Sequence, residues 1–257
     1  MTTCVVFLCN NAYFNQFQKT CRELITRGNY KGPICLVIGN DMNHIDTYRN
    51  PFILENNIIV KYFPDIDFPE ATLHIMKTCN RDAFWFEKRF QYHKLHLFNS
   101  FFKQCDTIFY IDCGATIFSD IKPILETRQA GQFLAHSDAY PSYVNKLNCQ
   151  FTNESPYFDI LTNNYDVSGD YPQSTIMLYD SSIITESTFD ELYNLTLKFP
   201  NSKTNDQGII ALYFASIKKI WTQIPIENET KTQFLYDFLH RTRAKPYIIL
   251  KRDWYLA

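Results

Sequence analysis

An α/β fold, with a mostly parallel mixed sheet flanked by helices, is predicted by three features of this 257-residue chain. Short continuous apolar runs, of the kind produced by strands buried on both faces, recur along it. Segments with helical spacing of apolar residues separate these runs, giving the β-α-β alternation of a helix-covered sheet. The composition is 46% hydrophobic, with 22 Phe and 17 Tyr, enough to fill one large core, and single α/β domains of about 250 residues are common. One domain spanning 1–257 is the simplest organisation.

The first strand is the run at 4–9, Cys-Val-Val-Phe-Leu-Cys, ended by Asn10-Asn11. Residues 12–27 follow as a helix, with Phe14, Phe17, Cys21, Leu24 and Ile25 on one face and Gly28 as a plausible cap. Residues 34–38 and 57–63 are the second and third strands, stopped by Gly39-Asn40-Asp41 and by Pro64. From 82 to 102, Phe86, Phe90, Leu97 and Phe101 follow the three-to-four spacing of a helix face, with Asp82 as its cap. A buried strand at 107–111 comes next, then a short helix at 120–128 and a strand at 132–135. Residues 139–172, rich in Tyr, Asn, Ser and Pro with weak periodicity, read as a long irregular segment, and such loops often carry function. The strand 175–179, helices at 187–198 and 206–217, a strand at 220–224 and an apolar tail at 247–250 complete the pattern.

Composition excludes several classes. Twenty-five Lys and Arg against 27 Asp and Glu leave a net charge of −2, whereas nucleic-acid binders carry a basic stripe, so nucleic acid is not an expected partner. The basic residues Arg241, Arg243, Lys245, Lys251 and Arg252 cluster near the carboxyl end and suit a small anionic ligand. The eight cysteines form no C-x-x-C pair and read as reduced thiols. No apolar stretch reaches the ~18 residues of a membrane span, and the first residues lack the features of a secretory signal; a soluble, cytoplasmic protein is expected. The aromatic-rich surface leaves a homodimer open. Neither G-x-G-x-x-G nor a P-loop occurs among the seven glycines, which removes Rossmann dehydrogenases and P-loop kinases.

Asp112 is the candidate centre of the site. It directly follows the strand 107–111, and ligands of open α/β sheets bind outside the carboxyl ends of the strands. Lys94-Leu95-His96, then a strand ending in Tyr110-Ile111-Asp112, resembles the K-L … Y-L-D-x-D segment of the glycogenin-like retaining glycosyltransferases, which have the GT-A (Rossmann-like) fold. Gln173-Ser174-Thr175-Ile176-Met177 falls where that family has N-S-G-V-x, Asp206-Gln207-Gly208 where it has D-Q-G, and 240–247 where it has H-x-x-G-x-x-K-P-W. The D-x-D motif is degenerate: the second acid is Gly114. On an extended chain, positions i and i+2 point the same way, so Gly114 removes one potential carboxylate ligand. The gap between His240 and Lys245 is also one residue shorter than the family's.

The resemblance implies transfer of a sugar, with retention, from a nucleotide-diphosphate donor, a UDP-sugar foremost, to a hydroxyl acceptor on a glycan, protein or small molecule. Residues about 1–120 would bind nucleotide, and about 121–257 would hold sugar and acceptor. It implies Mn²⁺ or Mg²⁺ on Asp112 and His240, with metal dependence open because of Gly114. Asn10, Asn11 and Tyr13 would meet the nucleoside; Tyr13 is otherwise a core residue. Lys94 would bind the nucleotide sugar, and Lys245 would meet its diphosphate. Asp206 and Gln207 would lie beside the reacting sugar carbon, although Asn205-Asp206 also suits a helix N-cap. Asp138 is a contact for sugar hydroxyls or, in an inverting enzyme, the base. The rival reading is a non-catalytic nucleotide-sugar-binding or scaffold protein on the same fold.

Overall fold

The computed structural model describes residues 2–82, 84–238 and 244–251. A seven-stranded sheet runs through it in the order β3-β2-β1-β4-β7-β6-β8. Its strands are β1 (Thr3–Leu8), β2 (Ile34–Ile38), β3 (Ile59–Tyr62), β4 (Thr107–Ile111), β6 (Phe133–Ser137), β7 (Pro172–Asp180) and β8 (Trp221–Gln223). β7 runs antiparallel to both of its neighbours and every other pairing is parallel, so the sheet is mixed and mostly parallel, as predicted. Chain order reverses direction across the sheet between β1 and β4, which have β2 and β7 on their far sides. That switch point opens a crevice at the strands' carboxyl ends.

The apolar runs form strands because both sheet faces are covered. Every residue of β2, β4, β6 and β7 is buried, whereas the edge strands β3 and β8 are only partly so. Successive side chains alternate between two cores: Cys4, Val6, Ile108 and Tyr110 enter one, and Val5, Phe7, Phe109 and Ile111 the other. The helix Phe14–Thr26 covers the second core with Phe17, Cys21 and Leu24. The first is filled by Tyr92, Leu95, Phe98 and the helices Thr188–Lys198 and Asp206–Ala211. Each fully buried Leu or Phe contributes about 1.5–3 kcal/mol.

Two predicted elements take another form. The helix expected over 82–102 is a short α-turn, Trp85–Lys88, followed by 3₁₀ segments at Arg89–Phe98 and Ser100–Gln104. All seven residues from Tyr92 to Phe98 are buried, which a one-faced surface helix does not do. Phe86, assigned to the buried face, is 54% exposed. The segment 139–172 contains the helix Pro156–Asn164, which buries only Leu161 and so leaves little apolar period in its sequence.

A second sheet, of order β5-β10-β9, joins β5 (Thr116–Ile117), β10 (Tyr247–Leu250) and β9 (Phe234–Asp237). β10 pairs antiparallel with β5 through Leu250–Thr116. This returns the chain to within a few residues of Asp112. All eight cysteines are free thiols.

Candidate functional site

A cleft of about 290 Å³ lies at the switch point, lined by residues from β1, β4, β7, the 3₁₀ segments and the start of the helix Asp206–Ala211. Asp112, Lys94, Asp138, Asp206, Gln207, Asn10 and Tyr13 all line it. Their positions are dictated by topology. Asn10 and Asp112 leave the ends of β1 and β4, Asp138 leaves β6, and antiparallel β7 begins at this same edge with Gln173 and Ser174.

The centre is an ion cluster. Lys94 Nζ, only 7% exposed, stands 3.1 Å from Asp112 Oδ1 and 3.6 Å from Asp206 Oδ2. It also donates to the Ser174 carbonyl at 3.2 Å and to Ser174 Oγ at 3.3 Å, so its three N–H groups have no shortage of acceptors. Ser174 Oγ in turn donates to Asp206 Oδ2 at 2.8 Å. Asp206 therefore turns inward instead of capping its helix, and Asn205, at φ 54°, is the residue that precedes the first turn. The Asn205 side chain is itself held, donating to Gln91 and accepting from Asn80, both at 2.7 Å.

Environment separates the two acids. Burial raises the Asp206 carboxyl, and although the Lys94 ammonium and the Ser174 hydroxyl oppose this, it stands at about 6. Burial acts the same way on Asp112, but there the Lys251 and Lys94 ammoniums and the Tyr110 hydroxyl prevail and hold the carboxyl below its ordinary value. Lys94, penalised by burial, is kept charged by Asp112 and Asp206, which raise it above the ordinary lysine range.

Asp138 closes the other wall. Tyr171 OH donates to its Oδ2 and Gln173 Nε2 to its Oδ1, both at 3.0 Å, and Gln207 Nε2 reaches Oδ2 at 3.3 Å. Gln207 Oε1 accepts the Ser174 backbone N–H at 3.3 Å, and its amide also donates to Gln150 Oε1 at 3.1 Å. Gln173, Ser174 and Gln150 were missed as site residues. The first two lie within a segment already noted for its resemblance, and Gln150 lay in the segment without periodicity.

Asn10 carries a buried Oδ1 with no protein partner, and Tyr13 is 47% exposed, a cleft residue and not a core one. The Asn11 backbone N–H is bound by Asp41 Oδ2 at 2.8 Å, and Asn11 does not line the cleft. Lys245 pairs with Glu227 and lies 5.6 Å from the Phe234 ring centroid, away from the cleft lining. His240 lies outside the described residues. From the carboxyl-terminal basic cluster it is instead Lys251 that joins Lys94 beside Asp112, its Nζ 3.0 Å from Asp112 Oδ2 and 3.1 Å from the Cys113 carbonyl.

Gly114 has a conformational role that the extended-chain expectation did not include. The Ala115 N–H bonds to the Asp112 carbonyl at 3.2 Å and Gly114 sits at φ 87°, which makes 112–115 a tight turn with glycine at its third position. Thr20 pins it, accepting from Gly114 N at 3.2 Å and donating to the Ala115 carbonyl at 2.8 Å. A Cβ at Gly114 would meet nothing within 4 Å, so Gly114→Ala is expected to cost about 1–2 kcal/mol from the backbone alone. Urea denaturation measures this, and an unchanged midpoint would contradict the assigned turn.

Among the described residues the donors around Asp112 do not make up a divalent-cation site; His240, the second ligand implied by the resemblance, lies outside them. Both Asp112 oxygens face ammonium groups, Gly114 offers no ligand, and among the described residues no group of three His, Cys, Asp or Glu is arranged to hold a metal. His93 and His96 are packing residues: burial pushes them down to about 4 and about 3, and His96 stacks between Phe63 and Phe189 at 4.5 and 4.6 Å.

No protein-family profile matches the sequence, and no curated protein matches it. Solved structures do match in three dimensions. The galactosyltransferase LgtC, in complex with donor and acceptor sugar analogues, aligns with TM-score 0.59 and 10% identity over 91% of this chain and 75% of its own. The bifunctional glycosyltransferase WbbM aligns with TM-score 0.58 and 16% identity over 93% of this chain, which spans 40% of that larger one. Mouse xyloside xylosyltransferase 1 aligns with TM-score 0.55 and 9% identity over 98% of this chain and 97% of its own. The fold is GT-A. At these identities the likeness is one of architecture, and the GT-A arrangement accounts for the cleft's place at the β1/β4 switch point. Among the described residues no helix is long and apolar enough to cross a membrane.

Proposed function

We propose that this GT-A protein is a glycosyltransferase that moves a sugar from a nucleotide-diphosphate donor, a UDP-sugar foremost, to a hydroxyl acceptor with retention of configuration. One observation carries the reading: Lys94, Asp112, Gln173, Ser174, Asp206 and Gln207, drawn from three of the four stretches that resemble the glycogenin-like enzymes, meet in one cleft. Lying far apart in sequence, they share a wall and a hydrogen-bond network at the crevice where α/β sheets bind ligands.

Tyr13 and the unpartnered Oδ1 of Asn10 suit a nucleoside at the end of β1. Asp206 and Gln207 suit the sugar, where an acid and an amide can orient hydroxyls and stabilise positive charge developing at the anomeric carbon. Asp138 accepts from three side chains, an arrangement that suits an orienting group better than a base and so supports retention over inversion. In the retaining reaction the acceptor oxygen attacks the anomeric carbon from the leaving-group side. The bond from that carbon to the phosphate oxygen breaks, its electron pair leaves with the diphosphate, and that oxygen takes the acceptor's proton.

The test is a panel of UDP-, GDP- and CMP-sugars incubated with purified protein, reading released nucleotide. Release from one donor, lost in Asp112→Ala, is the expected result. Donor binding without release from any sugar would select the non-catalytic reading, which the glycine in place of the second D-x-D acid at 114 favours.

A further inference from the structure

We propose that Lys251 supplies, as a fixed ammonium on Asp112, the positive charge that would otherwise come from a divalent cation at the leaving diphosphate, making this site metal-independent. The inference rests on the nucleotide-diphosphate reading of the cleft given above.

The argument turns on how the two lysines are committed. Lys94 is 7% exposed and surrounded by the Asp112 and Asp206 carboxylates and two Ser174 oxygens. An ammonium has three N–H donors and no acceptor, so Lys94 is consumed by the protein and serves to position both acids. Lys251 is 16% exposed on its side chain and lines the cleft. It donates to Asp112 Oδ2 and to the Cys113 carbonyl, which leaves one N–H for a ligand. Its backbone N–H is anchored on the Asp237 carbonyl at 3.0 Å, and the pairing of β10 with β5 fixes where the side chain starts. Such a group binds phosphate as a compact point charge with little to reorganise.

The surroundings favour lysine over metal at this position. A hard cation needs several oxygen ligands. The Asp112 carboxylate is flanked by two ammoniums, and Gly114, which has no side chain to offer, is set at φ 87° by the turn and does not line the cleft. In the transfer step Lys251 keeps all its protons: it neutralises the charge that collects on the departing phosphate oxygen, while the acceptor's proton goes to that oxygen.

Calorimetric titration of the full chain with UDP and with GDP, in Mn²⁺, in Mg²⁺ and in EDTA, tests this alongside the donor-release assay. The expected result is a UDP affinity that changes less than twofold between Mn²⁺ and EDTA. It should weaken at least tenfold in Lys251→Met, which is about 1.4 kcal/mol, and largely recover in Lys251→Arg, with cooperative melting in all three proteins. Binding that EDTA abolishes overturns the inference while leaving the transferase reading intact, and this arm needs no variant. Unchanged affinity in a folded Lys251→Met protein overturns it as well. Metal-free, Lys251-dependent UDP binding without turnover of any donor would uphold it and sink the transferase; no binding of either nucleotide would sink both.

Discussion

Lys94→Met is expected to lower the stability of this protein by about 3–5 kcal/mol at neutral pH, the usual cost of removing one partner from a buried ion cluster. In thermal denaturation that is a fall of roughly 6–20 °C for a domain of this size. The physical reason is that Asp206, 1% exposed, would keep the Ser174 hydroxyl and its own backbone N–H but no cation, whereas Asp112 would retain Lys251 and Tyr110. The damage therefore concentrates on Asp206. The double variant Lys94→Met/Asp206→Asn should recover most of the loss, because no buried carboxylate is then left without a cation. A single-variant loss under about 1 kcal/mol would show that Lys94 does not hold the cluster together.

The second large effect is a dependence on pH carried by Asp206. Its folded carboxyl stands at about 6 against an ordinary 3.8, so the folded state holds a proton that the unfolded chain has released. For an acid shifted upward, the associated stability is fully present below about 3.8 and is lost as pH rises to about 6. The size is about 3 kcal/mol, from 1.36 kcal/mol per unit. His93 and His96 act with the opposite sign, since burial lowers both and acid must charge them. Comparing wild type with Asp206→Asn at each pH cancels the histidine contribution. The stability of wild type relative to the variant should fall by about 2 kcal/mol between pH 4 and pH 6.5 in urea titrations, the rest of the effect lying below pH 4. A flat difference would mean that Asp206 is ionised throughout.

Much of this arrangement was legible from local pattern. Apolar runs without alternation became strands buried on both faces, since a parallel sheet covered by helices leaves no solvent face. Asp112 was recognisable because an acid after a buried strand can only emerge at the carboxyl edge of the sheet. Asp138 leaves β6, and Asp206 and Gln207 open a helix, and they reach the same cleft because both of these element ends lie at that edge. The 89–98 segment misled because its apolar spacing suits a helix face, while its actual burial comes from layers packed on every side.

Lys251 and Lys245 mark the boundary between the two kinds of information. Both sit in the basic carboxyl-terminal cluster and nothing local distinguishes them, yet Lys245 pairs with Glu227 and Lys251 with Asp112. The choice is made by β10 pairing with β5, more than a hundred residues away in the chain, at a register that ends beside the 112–115 turn. Gly114 shows the same division: its identity is plain in the sequence, but whether it marks a lost ligand or a required left-handed turn is decided by φ 87° and by Thr20 from a distant helix. The sequence by itself determined the sheet, its buried strands and the acids at their ends, because side-chain period and burial are local properties. Tertiary structure alone decided which lysine meets which acid, because ion pairs between distant segments depend on strand register and chain return, which no local pattern records.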